Sequence, residues 1–220
     1  MNDFEQARIV MVDRQIRPSD VTDPRIIDAF LAVPREEFVP SSQRALAYMD
    51  EDIPLASADR QRYLMEPASL AKLIQLAGVA EDHIVLDVGC ATGYSTAVLS
   101  QLCGSIVALE SDESLATQAS ETLMRLAFDN AAVVTGDLSA GYAKEAPYDI
   151  IFVGGAVDYV PGGLIEQLKA GGHLVVVEGH GNTGNARVYL REGDTASART
   201  AFNCAVMPLP GFAMEAAFEF

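Results

Sequence analysis

His83-Ile84-Val85-Leu86-Asp87-Val88-Gly89-Cys90-Ala91-Thr92-Gly93 is the stretch on which the reading of this chain turns. Ile84, Val85, Leu86 and Val88 form a short β-rich apolar run that stops at Gly89, as a buried strand does on entering a tight turn. From Tyr94 the period changes, and Val98, Leu99 and Leu102 recur at helical spacing. Strand, small-residue turn and helix make the first half of a nucleotide-binding βαβ unit. The turn residues must be small because the backbone there approaches a ligand closely. A second run, Ser105 to Leu109, ends in Glu110, seventeen residues past Gly93. A carboxylate there can accept from both hydroxyls of a ribose.

The charge of the turn points to the kind of cofactor. A pyrophosphate is best held by G-x-G-x-x-G, with bare backbone and a helix N-terminus. Here the spacing is Asp87-x-Gly89-x-Ala91-x-Gly93. A carboxylate beside the turn repels phosphate and suits a cation such as an ammonium or a sulfonium. The reading therefore tilts to S-adenosylmethionine. Val133-Val134-Thr135-Gly136-Asp137 adds a third strand whose terminal acid is placed to accept from an adenine amine. Leu168-Lys169-Ala170-Gly171-Gly172-His173 then stops a helix before the strand Leu174 to Val177. The ordered set resembles the Rossmann-like S-adenosylmethionine-dependent methyltransferases, with Ala91 in place of the middle glycine of their commonest turn.

The whole chain sets outer bounds. Its 220 residues, half of them apolar, suit one domain with a full core. No run reaches the roughly 18 apolar residues that a spanning helix needs. The start, Met1-Asn2-Asp3-Phe4-Glu5, has neither the basic nor the apolar region of a signal peptide. Cys90, Cys103 and Cys204 lack C-x-x-C spacing, so free thiols in the cytoplasm are expected. His83, His173 and His180 are scattered and give no metal-site pattern. A formal net charge of −16 argues against nucleic acid and anionic membrane as partners, since both need a basic face.

In chain order, Phe4 to Gln15 reads as a helix ended near Arg17-Pro18, and Thr22 or Asp23 caps a second helix opened by Pro24 and closed by Pro34. A short helix follows from Ser41, and Tyr48 to Leu55 reads as a loop with an extended edge. Ala56 to Arg62 is polar and turn-like, a segment expected to be mobile. Glu66 to Leu76 is a helix with Pro67 at its start and Gly78 past its end. Beyond the nucleotide-binding unit come a helix to Leu126, strands at Ala132–Thr135 and Tyr148–Val153, and a helix Pro161–Leu168. After the strand Leu174–Val177, the runs Arg187–Leu190 and Thr200–Val206 suggest an antiparallel hairpin at the C-terminus. The fold class expected is α/β, a mostly parallel methyltransferase sheet with an N-terminal helical extension. Residues 1–78 would supply the helices and a cover, and 79–220 the cofactor-binding core.

The N-terminal third narrows the resemblance. Met11-Val12-Asp13-Arg14-Gln15-Ile16-Arg17-Pro18, Val21-Thr22-Asp23-Pro24-Arg25 and Val33-Pro34-Arg35-Glu36-Glu37-Phe38-Val39-Pro40 look like the opening of the protein-L-isoaspartate O-methyltransferases. Ala47-Tyr48, Asp50 and Ile53-Pro54-Leu55 continue the likeness, which covers nearly the whole chain. It implies that Asp87, Gly89, Ala91, Gly93 and Tyr94 form the cofactor turn. Glu110, with Ser111 beside it, would hold the ribose, and Asp137 with Leu138 would sit at the adenine. Met207-Pro208-Leu209 stands where the family has a segment whose backbone meets the substrate.

One departure stands out. The family's G-x-x-T-I-S-x-P stretch covers the methyl donor and offers hydroxyls near the substrate carboxylate. Before Pro67 this chain has Tyr63-Leu64-Met65-Glu66, so Tyr63 and Met65 replace the two hydroxyl residues. Glu66 either adds a charge that would repel a carboxylate by about 4 kcal/mol at roughly 4 Å and an effective dielectric near 20, or serves its own helix N-terminus. The activity implied is carboxyl methylation of isoaspartyl residues in damaged proteins. A methyltransferase acting on another acceptor, or a non-catalytic cofactor-binding relative, stays open at this point. A dehydrogenase would require NAD, which Asp87 opposes.

Overall fold

The computed structural model describes residues 3–56 and 61–214. Its centre is a seven-stranded sheet in the order β5-β4-β3-β6-β7-β8-β9. The strands are β3 (Ile84–Val88), β4 (Ser105–Glu110), β5 (Ala131–Thr135), β6 (Tyr148–Val157), β7 (Leu168–Glu178), β8 (Asn185–Glu192) and β9 (Thr195–Asn203). Pairings from β5 through β7 are parallel, and β7-β8-β9 are antiparallel. A separate two-stranded ribbon pairs β1 (Ile53–Leu55) with β2 (Arg62–Leu64). The fold is therefore the α/β methyltransferase sheet with its C-terminal hairpin and N-terminal helices.

Burial on both faces explains why the central strands are apolar without interruption. Val85, Ile150, Phe152, Val175 and Val177 pack into one cluster with the N-terminal helices α1 (Asp3–Met11), α2 (Pro24–Ala32) and α3 (Pro67–Ala77), and with α4 (Tyr94–Ser100). Leu86, Val88, Ile151, Val153, Leu174 and Val176 point the other way, onto Leu138, Leu164, Leu168 and Phe212. Adjacent residues thus serve opposite layers, as the two-residue period of a strand dictates.

Several boundaries differ from the sequence reading, three of them with a visible cause. The helix expected at Pro161–Leu168 is only α6 (Gly162–Ile165). Gly162 and Gly163 are poor helix formers, and the Gln167 side chain donates to Ala140 O and Gly163 O while accepting from Tyr142 N. That anchor draws Leu168 into β7, opposite Tyr148. The last strand begins at Thr195, not Thr200, because the Gly193-Asp194 turn sets its register on β8. Arg62, expected within a polar turn, is the first residue of β2 and is buried. Residues 57–60 of the segment expected to be mobile lie outside the described residues.

The N-terminal layer is tied to the cover segment by one buried cation. Arg35, of the Val33-Pro34-Arg35 run, donates from Nε to Ala47 O at 2.7 Å and from Nη2 to Met65 O at 2.8 Å. Its guanidinium lies 4.7 Å from the centre of the Tyr94 ring, against which Phe30 and Phe38 pack edge-on. Thr92 Oγ1 donates to Phe38 O at 2.6 Å, so the same layer also grips the turn after β3.

Candidate active site

The chain order reverses across β3: β4 and β5 extend to one side of it, β6 and β7 to the other. Ligands of open α/β sheets bind outside the carboxyl ends of the strands at such a reversal. Several of the sequence-predicted residues meet there. Asp87 is the last residue but one of β3, Glu110 ends β4, and the turn Gly89-Cys90-Ala91 follows β3 with φ of +82° at Gly89 and +51° at Ala91. Ala91 adopts a left-handed conformation that a glycine would enter at less cost.

Glu110 is fully buried and accepts from several donors. Ala91 N lies 2.8 Å from Oε2, and Ser111 N and Asp112 N lie 2.8 and 3.1 Å from Oε1. Ser111 Oγ adds a longer bond at 3.3 Å. The remaining donors come from Arg62, whose Nη1 and Nη2 reach the two carboxylate oxygens at 2.9 and 2.8 Å, while Nη2 also donates to Gly89 O at 3.1 Å. Arg62 is 3% exposed. The sequence reading missed it, although two buried carboxylates on adjacent strands call for a cation nearby.

Asp87 is differently placed. Its Oδ2 accepts from Ser95 Oγ and Thr96 Oγ1, each at 2.7 Å, whereas Oδ1 is buried without a partner among the described residues. Burial, opposed by these two hydroxyl bonds and reinforced by the charge of Glu110, pushes its carboxyl up to about 6. A buried carboxylate oxygen with no donor among the described residues is suited to a positive group.

Other predicted residues make contacts of their own. A Cβ on Gly93 would meet Ala119 Cβ at 3.2 Å and Leu123 Cδ1 at 3.3 Å, so this glycine lets α4 pack against α5 (Glu113–Arg125). Tyr94 lies in the core beneath Arg35. Asp137 is exposed and caps its own turn, accepting from Ser139 N at 2.9 Å; Leu138 is buried in the opposite layer. Glu66 accepts from Ser69 Oγ in the first turn of α3, and its N–H bonds Asp52 Oδ1 at 2.9 Å. The Glu66 carboxylate thus bonds a side chain of the first turn of α3 and makes no bond to that helix's N–H groups.

The cover is closed over the turn. Met207-Pro208-Leu209 lies beside β6, with Ala156 N donating to Met207 O at 2.9 Å and Leu209 N to Ala156 O at 2.8 Å. Leu209 Cδ2 stands 2.8 Å from where a Cβ on Gly89 would be. Tyr63 and Met65 border two small cavities of about 10 and 20 Å³, Leu64 and Gly89 bordering the second. A nucleoside-sized ligand needs on the order of 300 Å³ or more. The acceptor groups thus match an adenosyl group carrying a positive centre, while the side chains of Arg62 and Leu209 stand against Glu110 and Gly89.

A parallel sheet with an antiparallel hairpin and an acidic pair at its chain reversal defines a Rossmann-like methyltransferase. The profile of the family described as Protein-L-isoaspartate(D-aspartate) O-methyltransferase matches residues 7–212, and this chain belongs to that family. A protein-L-isoaspartate O-methyltransferase of Roseiflexus castenholzii is 34% identical over 210 residues, 95% of this chain and 94% of the relative. A solved structure of that name superposes with a TM-score of 0.78 at 25% identity, covering 94% of this chain and 66% of the other. A Plasmodium falciparum beta-aspartate methyltransferase, solved in complex with S-adenosyl-L-homocysteine, shares the fold with a TM-score of 0.76 at 18% identity.

Proposed function

We propose that this protein transfers a methyl group from S-adenosylmethionine to the free carboxylate of isoaspartyl residues in damaged proteins. The observation that carries the reading is the pair Asp87 and Glu110 on neighbouring strand ends, in a chain of this family. Asp87 Oδ1 would face the positive end of the cofactor and Glu110 its ribose. When bound, the cofactor supplies an electrophilic methyl on a good leaving group. The acceptor carboxylate, with a pKa near 4, is ionised at neutral pH, so no strong base is required of the protein. What remains for the chain is alignment and exclusion of water. Tyr63, Leu64 and Met65 would form the cover, and the backbone of Met207 would meet the peptide. The three cysteines are buried free thiols, which supports work in the reducing cytoplasm. Residues 1–78 would act as cover and 79–220 as core of one unit.

Incubation with methyl-labelled S-adenosylmethionine and an isoaspartyl peptide should yield a base-labile ester. Bound cofactor with no such ester would overturn the acceptor. Met65→Ser restores a hydroxyl beside the acceptor and is expected to raise kcat/KM on that peptide about tenfold, the worth of one hydrogen bond to a charged group. An unchanged rate would show that the missing hydroxyl is not what limits the reaction.

A further inference from the structure

We propose that Arg62 is a built-in stand-in for the ribose, so that the cofactor enters by displacing its guanidinium from Glu110. The inference rests on the cofactor reading above and concerns how that site is kept. Two vicinal hydroxyls present a pair of donors to the two oxygens of a carboxylate. The Arg62 fork does the same, with Nη1 on Oε1 and Nη2 on Oε2. The other donors to Glu110, the backbone N–H groups of Ala91, Ser111 and Asp112 and the Ser111 hydroxyl, are local groups that need not move when the fork leaves. Nη2 also closes on Gly89 O, across the turn that must lie bare to admit a nucleoside.

The latch sits on a part of the fold that can be lifted. Arg62 belongs to the β1-β2 ribbon, three residues on each strand, which shares no ladder with the seven-stranded sheet. Two-stranded ribbons of this size are marginal on their own. Releasing Arg62 gives its guanidinium back to water and so recovers much of the cost of having buried it. Glu110 meanwhile exchanges one bidentate partner for another and is never left bare. The shut state serves a purpose: two acidic groups close together, one of them without a full set of partners, would otherwise face each other with no counter-charge.

Calorimetric titration with S-adenosylhomocysteine of the wild type, Arg62→Ala, Arg62→Lys and Leu209→Ala tests the proposal. A protein that is 90–99% latched binds with its affinity reduced by about 10- to 100-fold, so Arg62→Ala should bind more tightly by about that factor. Arg62→Lys, which keeps the charge and loses the fork, should fall between the two, and it carries the test if the alanine variant does not fold. Leu209→Ala, which adds space and leaves the ion pair, should gain less than Arg62→Ala. Equal affinity in the wild type and both Arg62 variants would overturn the latch and leave the cofactor reading standing. Absence of binding in every variant would overturn both.

Discussion

Glu110→Gln is expected to cost about 3–5 kcal/mol of folding stability, because it removes the counter-charge that holds the Arg62 guanidinium in place and leaves the backbone donors around residue 110 without a full acceptor. In a chain of this size that is a fall in Tm on the order of 10 °C. The amide also presents an NH2 where Glu110 now accepts only, from Ala91 N on one oxygen and from Ser111 N and Asp112 N on the other. Whichever way it turns, one donor faces another. The companion Arg62→Met removes the cation in turn, and the double variant should recover the part of the loss that comes from the unpaired guanidinium and keep the part that comes from the amide. Urea denaturation of the four proteins gives the coupling between the two side chains. Additive losses would mean that the pair seen at 2.8 Å does not persist in solution.

The same pair shows what could be read from the sequence and what could not. β3, β4 and β6 were legible because burial on both faces leaves an unbroken apolar signature, and Asp87 and Glu110 were legible as the polar residues closing two such runs. β2 carries three residues, too few to display a period, so the inward alternation of Arg62 and Leu64 about Tyr63 is invisible without coordinates. β9 is exposed along most of its length, which erases the pattern that would have marked its start. A glycine carries no record of which neighbour requires it. Gly93 reads as room for a ligand, whereas the atoms crowding it belong to α5. Glu66 was ambiguous for a related reason, since a carboxylate ahead of a helix serves the helix and a ligand site equally well until Ser69 is seen to bond it.

Asp87→Asn separates stability from binding, with opposite signs. In the folded protein the Asp87 carboxyl titrates near 6, against 3.8 for the free group, chiefly because it is buried. Between those values the folded state holds a proton that the unfolded chain has lost. The contribution of this group to wild-type stability therefore falls as pH rises from about 4 to above 6, by about 3 kcal/mol in total from proton linkage. Asparagine is neutral throughout and lacks this slope. The stability difference between Asp87→Asn and the wild type should accordingly move by about 3 kcal/mol in favour of the variant from pH 4 to pH 8. Affinity should move the other way. Loss of the charge beside the turn is expected to weaken S-adenosylmethionine, whose sulfonium is positive, more than S-adenosylhomocysteine, whose sulfur is neutral. Denaturation across the pH range and titration with both ligands measure the two effects on one variant. A flat stability difference would show that Asp87 is ionised at little cost, and equal weakening of the two ligands would show that its charge does not face the sulfur.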